Sequence, residues 1–519
     1  MPQPEHAAEA RSSGSPRAMA LAFFLLVFAT YAYFYQGGGP NQFSRYGLTV
    51  ALVDHGRVDI DDYHHLTFDK AEKDGHYYCD KAPGLSLLAA PLYALCRPLI
   101  AQWAVPGSRA WLNWSMYAIT LLAVSLPVAL AMTSFYWRAR REAGPRAAFW
   151  VSVALALGSP LAVYASLFYA HALSGALLWL AFTLLTGSAQ EEVPTSARAA
   201  MAGFLAGCAV VSEFPVVLIA GLLYAHLGLR GRGFWRPAAA FVLAGLPVAA
   251  VLLAYNVAAF GQPLVSGYQY HVVHDFRQAM GQGVMGVTGP TPTSVVGVLF
   301  SPYRGLLWFW PFVLCALAAA CFLLAAQRMR GPVVLAAVIV VVYLAFGCSY
   351  YMWSGGASFG PRHVVPCLPF AAYLAVRGYD SIVRWLAPPL TVLSVAFVTI
   401  SVATLAEFPE QLPPPQTLED RANPLFRIAV PRFLDGQVSL KLIGPEGVIK
   451  WWPLTAEETA KGMQDDIIGP GGLVEGQAAK PLPPDDPLFA YDACNAGELL
   501  GLRGLWSLLP LAGLWGGLG

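Results

Sequence analysis

Apolar runs of bilayer length follow one another along the chain, separated by short polar breaks. Residues 110–135, 236–258, 303–326, 332–350 and 385–406 each approach or exceed the ~20 apolar residues of a membrane-crossing helix. An earlier run, 18–35, follows Arg11 and Arg17 and lacks a small-residue cleavage site before Gly37. It reads as a retained first helix, not a secretory leader. Sidedness comes from the basic residues, which collect on the cytoplasmic side of a bilayer. If 84–98 crossed, the loop holding Arg138, Arg140, Arg141 and Arg146 would fall outside. Segment 84–98 is therefore predicted to lie along the outer surface, with 110–135 as the second crossing. A single crossing at 199–229 would likewise strand Arg230, Arg232 and Arg236. The interruption Ser212-Glu213-Phe214-Pro215 instead predicts a helical hairpin with Glu213 near its outer tip. Runs 236–258, 303–326, 332–350, 363–376 and 385–406 then alternate consistently.

This threading predicts an all-α polytopic membrane protein of about eleven membrane segments. Residues 1–17 form a cytoplasmic N-terminus and 18–406 the membrane domain, with outer loops 36–109, 160–170, 259–302 and 351–362. Residues 407–519 are predicted as a small outer domain of turns and short strands, opening near Pro413-Pro414-Pro415. Its apolar end, 498–518, is expected to lie on the membrane or re-enter it. The polar motifs fall in the outer loops, so the active face points away from the cytoplasm, across the cytoplasmic (inner) membrane.

Composition agrees: 56% of the 519 residues are hydrophobic and 12% charged, with a mean hydropathy of +0.52. The net charge of +1 comes with scattered Arg clusters and no basic face, which excludes a nucleic-acid partner. The 8 cysteines form no CxxC or metal-ligand spacing. Cys96, Cys208, Cys315, Cys321, Cys348 and Cys367 sit in or beside apolar runs; Cys79 and Cys494 lie in outer segments, which leaves a disulfide between them open. No internal or inverted repeat is present.

The densest polar stretch is 41–84, which carries Asp54, Asp59, Asp61, Asp62, Asp69, Asp74 and Asp80 interleaved with Tyr46, Tyr63, Tyr77 and Tyr78. Such carboxylates supply a general base, with Asp59, Asp61 and Asp80 as the candidates. Asp59-Ile-Asp61 is also a candidate ligand pair for a divalent cation, Mg2+ or Mn2+, although D-x-D arises in any acidic turn. Arg45 and Lys81 are placed to meet phosphate. In the loop YMWSGGASFGPR, Gly355, Gly356 and Gly360 permit close ligand approach, Trp353 offers a stacking face, and Arg362 with His363 opens the next helix. Arg304, in SPYRG, reads as an interfacial anchor. His171 and Glu213, near outer helix ends, are costly in lipid and must face a cavity or a partner. Asn41, Tyr46, Tyr78, His171, Glu213, Trp353 and His363 complete the candidate substrate-lining set.

The order of a first helix, NQFSRY, a surface helix ending GRVDID, and then GHYYCDKAPGLSLLAAPLY resembles the start of the GT-C membrane glycosyltransferases. It is similar in particular to the protein O-mannosyltransferases and lipid A aminoarabinose transferases. Arg45-Tyr46 matches that family's Arg-Tyr on a surface helix, and Lys81-Ala82-Pro83 its Lys-Pro-Pro; the acidic residue that follows helix one there is Asn41 here. The resemblance covers roughly the first half of the chain in layout. It implies a GT-C-like fold and transfer, with inversion, of a sugar from a polyprenyl-phosphate donor to a glycan, lipid or protein acceptor on the outer face, amid membrane lipids; a retaining double displacement would need two closely placed carboxylates. A transporter of lipid-linked sugars would want polar or broken helices at the bilayer midplane, where 236–258 and 385–406 are nearly featureless. A non-catalytic partner or flippase-like helper would share the architecture and tolerate Asn41.

Overall fold

A computed structural model of the chain describes residues 15–37, 39–187, 193–229, 233–408, 423–438 and 493–518. Helix α1 (Pro16–Tyr33) starts on Ser15, whose Oγ accepts from Ala18 N, with Pro16 at the first helical position. It leads through strand β1 (Phe34–Gln36) into α2 (Pro40–Asp54), also opened by proline. Strands β2 (Lys70–Lys73) and β3 (His76–Cys79) form a hairpin around Asp74 and Gly75, both at positive φ, the Asp-Gly turn favoured in two-residue loops. Helix α3 (Gly84–Ile100) follows. Helix α4 (Arg109–Thr120) continues through a widened turn, Leu121–Ser125, into α5 (Leu126–Ala156). Then come α6 (Pro160–Ala165), α7 (Ala170–Thr186), α8 (Ser196–Ser212), α9 (Val217–Gly228) and α10 (Trp235–Phe260). The remainder of the bundle is α11 (His274–Met280), α12 (Pro292–Leu299), α13 (Val313–Ala325), α14 (Pro332–Ser349), α15 (Leu368–Arg377) and α16 (Arg384–Thr404).

Five helices among the described residues are long and apolar enough to cross a membrane: Pro16–Tyr33, Trp111–Ala156, Trp235–Phe260, Pro332–Ser349 and Tyr379–Thr404. Shorter apolar helices pack among them. Leu243, Leu246, Val251, Leu317, Val341 and Val392 point outward from these helices, as lipid-facing side chains do. The chain is an integral membrane protein.

The 46-residue run Trp111–Ala156 would reach ~70 Å if straight, about twice a bilayer core. Gly144, at φ 83°, and Pro145 break it. Contacts with α1 show that the two halves run antiparallel. Tyr117 donates to Ala32 O near the end of α1, Tyr136 stacks on Phe23 near its start, and Tyr31 donates to Ala156 O. The basic turn Arg138–Arg146 therefore lies at the end of the bundle where α1 begins, as the charge pattern predicted. There Arg138 is buried, donating to Glu142 and Thr186, and Glu142 accepts from Tyr373 and Arg377.

Segment 199–229 is likewise a hairpin. α8 ends at Glu213, whose extended backbone (φ −153°, ψ 100°) turns the chain into α9. Tyr224 on α9 meets Phe241 near the start of α10, so α9 returns to the end from which α8 set out. Gly203 and Gly207 form the seam of α8 against α10: a Cβ at Gly203 would lie 1.9 Å from Phe241 O, and one at Gly207 3.4 Å from the Gly245 Cα. This is the small-residue packing by which membrane helices approach closely. α3 does not cross. Gly84 abuts Ser212 at the hairpin tip, and the far end of α3 leads into α4, whose Asn113 accepts from Tyr35 just beyond α1.

Several boundaries differ from expectation. Residues 160–170, predicted as an outer loop, are entirely buried. The run 303–326 does not begin as a long helix: Tyr303, Arg304 and Trp310 are buried in irregular chain around the single turn Leu306–Phe309. Cys79 and Cys494 are both buried, and none of the eight cysteines forms a disulfide. In the C-terminal region, strand β4 (Ala493–Asn495) pairs antiparallel with β1, and a last helix, α17 (Leu509–Leu518), packs on α1, where Trp515 donates to Thr30 Oγ1. The predicted loop prolines Pro413–Pro415, most of the C-terminal segment, the N-terminal Arg11, and Arg230 and Arg232 lie outside the described residues.

Candidate active site

The polar residues of the outer loops converge at the end of the bundle opposite Gly144. Arg45, on α2, is buried; its Nε donates to Asn41 Oδ1 (3.1 Å) and its Nη1 to Ala82 O (2.9 Å). Ser86 Oγ donates back to Arg45 O, so α2 and the start of α3 hold each other. This fixes the turn that carries Asp80 and Lys81.

Lys81 Nζ lies 2.7 Å from Asp80 Oδ2 and 3.0 Å from Asp69 Oδ2. Ser44 Oγ donates to the other Asp80 oxygen. His271, from the 259–302 loop, reaches in beside β2: its Nε2 is 3.6 Å from Asp80 and 3.9 Å from Asp69. Val273 N donates to His271 Nδ1 (3.0 Å), which places the proton of the neutral ring on Nε2, facing the carboxylates. Burial would raise the Asp69 carboxyl, but the Lys81 ammonium beside it overrides this and holds it well below the usual carboxylate range. The two carboxylates in turn raise Lys81 despite its burial.

Among the described residues, Asp69, Asp80 and His271 are a convergent set of metal-type ligands, with donor atoms within 4.8 Å of one another. They do not fit a divalent cation. Such an ion needs oxygens at about 2.0–2.6 Å, and Lys81 Nζ already sits between the two carboxylates. The His271 nitrogen that faces the site also carries a proton instead of a lone pair. The pair expected from sequence, Asp59 and Asp61, lies elsewhere. Asp61 is spent on His76 Nδ1 and Tyr77 N (2.7 Å each), and Asp59 approaches Arg57 at 3.7 Å. The backbone of Asp59 bridges to Tyr78, whose ring packs on Phe260.

A second group faces the first. Arg362 is half-buried; its Nε is enclosed without a partner, and its Nη1 reaches only Ala357 O at 3.5 Å. Tyr169, Tyr164, Asp69 and Glu407 surround it within electrostatic reach. His171 Nδ1 stands 3.1 Å from Glu213 Oε2, a close contact without hydrogen-bond alignment, and its ring meets His363. Arg45 and Arg362 both lie within electrostatic reach of Glu213, and Lys81 and Arg362 both lie within reach of Tyr350. Tyr46 is buried and bonds Ser115 at 2.8 Å. Trp353 is packed over Gly297, where an added Cβ would meet its ring at 2.2 Å. Arg304 is not an interfacial anchor: fully buried, it donates to Gly356 O and Phe408 O and staples the glycine loop to the segment after α16.

Glu407, on that segment, carries no local motif in the sequence. It is buried, accepts from Tyr169 O–H at one oxygen and from Gln42 Nε2 (3.2 Å) at the other. Burial pushes its carboxyl up to about 7, against the opposing pull of the Tyr169 hydrogen bond and the Arg362 charge. Gln42 itself follows Asn41, the position where the resemblance led us to expect an acid.

No protein-family model matches the chain. No curated protein matches it. Among solved structures, it is similar to ArnT from Cupriavidus metallidurans bound to undecaprenyl phosphate, at 16% identity and a TM-score of 0.48, covering 76% of this chain and 66% of that one. It is also similar to ArnT from the same organism in the apo state, at 16% identity and a TM-score of 0.44, covering 74% of this chain. The chain thus spans just under two thirds of the length of the ArnT chains it resembles, 66% and 64%.

Proposed function

We propose that this protein is a membrane glycosyltransferase that takes a sugar from a polyprenyl-phosphate donor and places it on an acceptor at the outer face of the cytoplasmic membrane. The observation that carries the reading is Arg362. A guanidinium with an enclosed, unpartnered Nε and one long contact has donors to spare for an anion. Arg45 and Lys81 share electrostatic neighbours with Arg362, Glu213 and Tyr350 respectively. A phosphate carried on a lipid tail suits that placement, since the tail stays in the bilayer while the phosphate reaches the cations. Attack by an acceptor hydroxyl on the anomeric carbon would invert it, and the departing phosphate would gain charge where the cations already point. The Lys81 ammonium occupies the place a divalent ion would take, so transfer is expected to continue with EDTA present.

The test is the purified full-length protein in proteoliposomes, probed with undecaprenyl phosphate for binding. Transfer is followed with a panel of polyprenyl-phosphate hexoses and pentoses, using isolated membranes as acceptor. Binding together with release of polyprenyl phosphate supports the reading. Binding without transfer from any donor would move the non-catalytic partner ahead, and the absence of both would end the reading.

A further inference from the structure

Glu407 sits on backbone that is held from both sides. Gln36 Oε1 accepts from Ala406 N (2.9 Å), and Gln36 Nε2 donates to Val402 O. On the other side Ser358 and Phe408 exchange both backbone hydrogen bonds, at 2.9 and 3.2 Å, while Arg304 donates to Phe408 O. A side chain fixed this way is positioned before any ligand arrives. Its oxygens meet Tyr169 and Gln42, and Arg362, the cation with unspent donors, lies within electrostatic reach. Of the other acids near the site, Asp69 and Asp80 are paired with Lys81, and Glu213 stands beside His171 on the hairpin between α8 and α9.

We propose that Glu407 is the proton acceptor of the transfer reaction, an assignment that rests on the glycosyltransferase reading. As the acceptor oxygen bonds to the anomeric carbon, its O–H bond breaks and the proton passes to a Glu407 oxygen. The bond from the anomeric carbon to the phosphate oxygen breaks, and its electron pair leaves with the polyprenyl phosphate toward Arg362 and Lys81. The proton then passes from Glu407 to solvent. A base works best when its affinity for a proton lies near the operating pH. Asp69, held low by Lys81, is poorly suited, whereas burial brings Glu407 to about 7. The charged and titratable groups facing Glu407 are Tyr169, Tyr164, Arg362 and Asp69, with Arg304 on the adjoining backbone. Only its ionised form accepts a proton, so transfer should rise with pH through about 7 and then level off.

The experiment uses the full-length protein in proteoliposomes, with undecaprenyl phosphate as the binding probe and the donor panel for transfer. Glu407→Gln should bind the probe as the wild type does and lose ~10²–10⁴-fold in transfer. Glu407→Asp should keep part of the rate, with its rise moved along the pH axis. Glu407→Gln that transfers at the wild-type rate with the same pH profile overturns the assignment. Loss of probe binding together with transfer also overturns it, because Glu407 would then be a positioning residue for Arg362. A wild type that neither binds the probe nor transfers sugar would end the parent reading and this assignment together.

Discussion

Lys81→Met removes one ammonium and keeps most of the side-chain volume, so it isolates the charge. Removing one partner of a buried ion pair costs roughly 3–5 kcal/mol, because the remaining charge is left uncompensated. Here the cost has a ceiling, since a stranded carboxylate can take up a proton. At pH 7 protonating a carboxyl of ordinary affinity, ~4, costs about 4 kcal/mol at ~1.4 kcal/mol per unit. At pH 5 the same step costs only about 1.4 kcal/mol. The wild type behaves oppositely. Its Asp69 carboxyl is held low in the folded state, so the stability it contributes is present above its unfolded value and is lost only as pH falls through the depressed one. The variant should therefore be less stable by about 3–4 kcal/mol at pH 7, and the gap should narrow by up to ~1.4 kcal/mol per unit toward pH 5. Unfolding in mixed micelles at pH 5, 6, 7 and 8, wild type against variant, measures this. A gap that is absent, or constant across the range, would refute the claim that Lys81 pairs with both Asp69 and Asp80.

Arg362→Ala should weaken undecaprenyl phosphate binding ~10–100-fold, the loss of one charge-assisted interaction of about 1.5–3 kcal/mol, and Arg362→Lys should recover only part, because an ammonium cannot form the bidentate fork; isothermal titration or tryptophan quenching reads both. Asp80→Asn should abolish transfer by releasing Lys81, whereas Asp61→Asn, which disturbs only His76 and the Tyr77 amide, should leave the rate within a few-fold, and equal losses in both would return the chemistry to the surface hairpin. Gly203→Ala should destabilise by roughly 1–3 kcal/mol or more, since its Cβ would meet Phe241 O at 1.9 Å, while Gly221→Ala, with nothing within 4 Å, should be near neutral.

The fold was legible where a local signal was long or repeated. Arg138, Arg140, Arg141 and Arg146 fall together, and their charge alone places the turn that Gly144 makes in the structure. Ser212-Glu213-Phe214-Pro215 likewise marks a helix break through a charged residue and a proline, and the hairpin follows. Hydropathy fails where apolar chain is buried by protein instead of lipid. Residues 303–312 score as membrane helix, yet Arg304 sits fully buried among them, spending its donors on Gly356 and Phe408 carbonyls. The segment 160–170 is the reverse case: short, broken by Ser159 and Pro160, and wholly interior.

The site was half legible for the same reason. Lys81 and Asp80 stand in a dense polar motif, and Arg362 in a glycine loop, so composition finds them. His271 and Glu407 are single polar residues, and no spacing distinguishes them from other loop acids and histidines. Their roles exist only after distant segments meet: His271 through the bridge from Ala71 to its own backbone, Glu407 through the Ser358–Phe408 pairing. Asn41 illustrates the difference between a position in sequence and one in space. Read along the chain, Asn41 is a missing acid. In the fold it accepts from Arg45, its neighbour Gln42 donates to Glu407, and on the assignment proposed above the carboxylate that sequence looks for after helix one is Glu407, on the segment after α16. A search for the acid by motif stops at residue 41, whereas following where the Gln42 amide sends its hydrogen bond leads to residue 407.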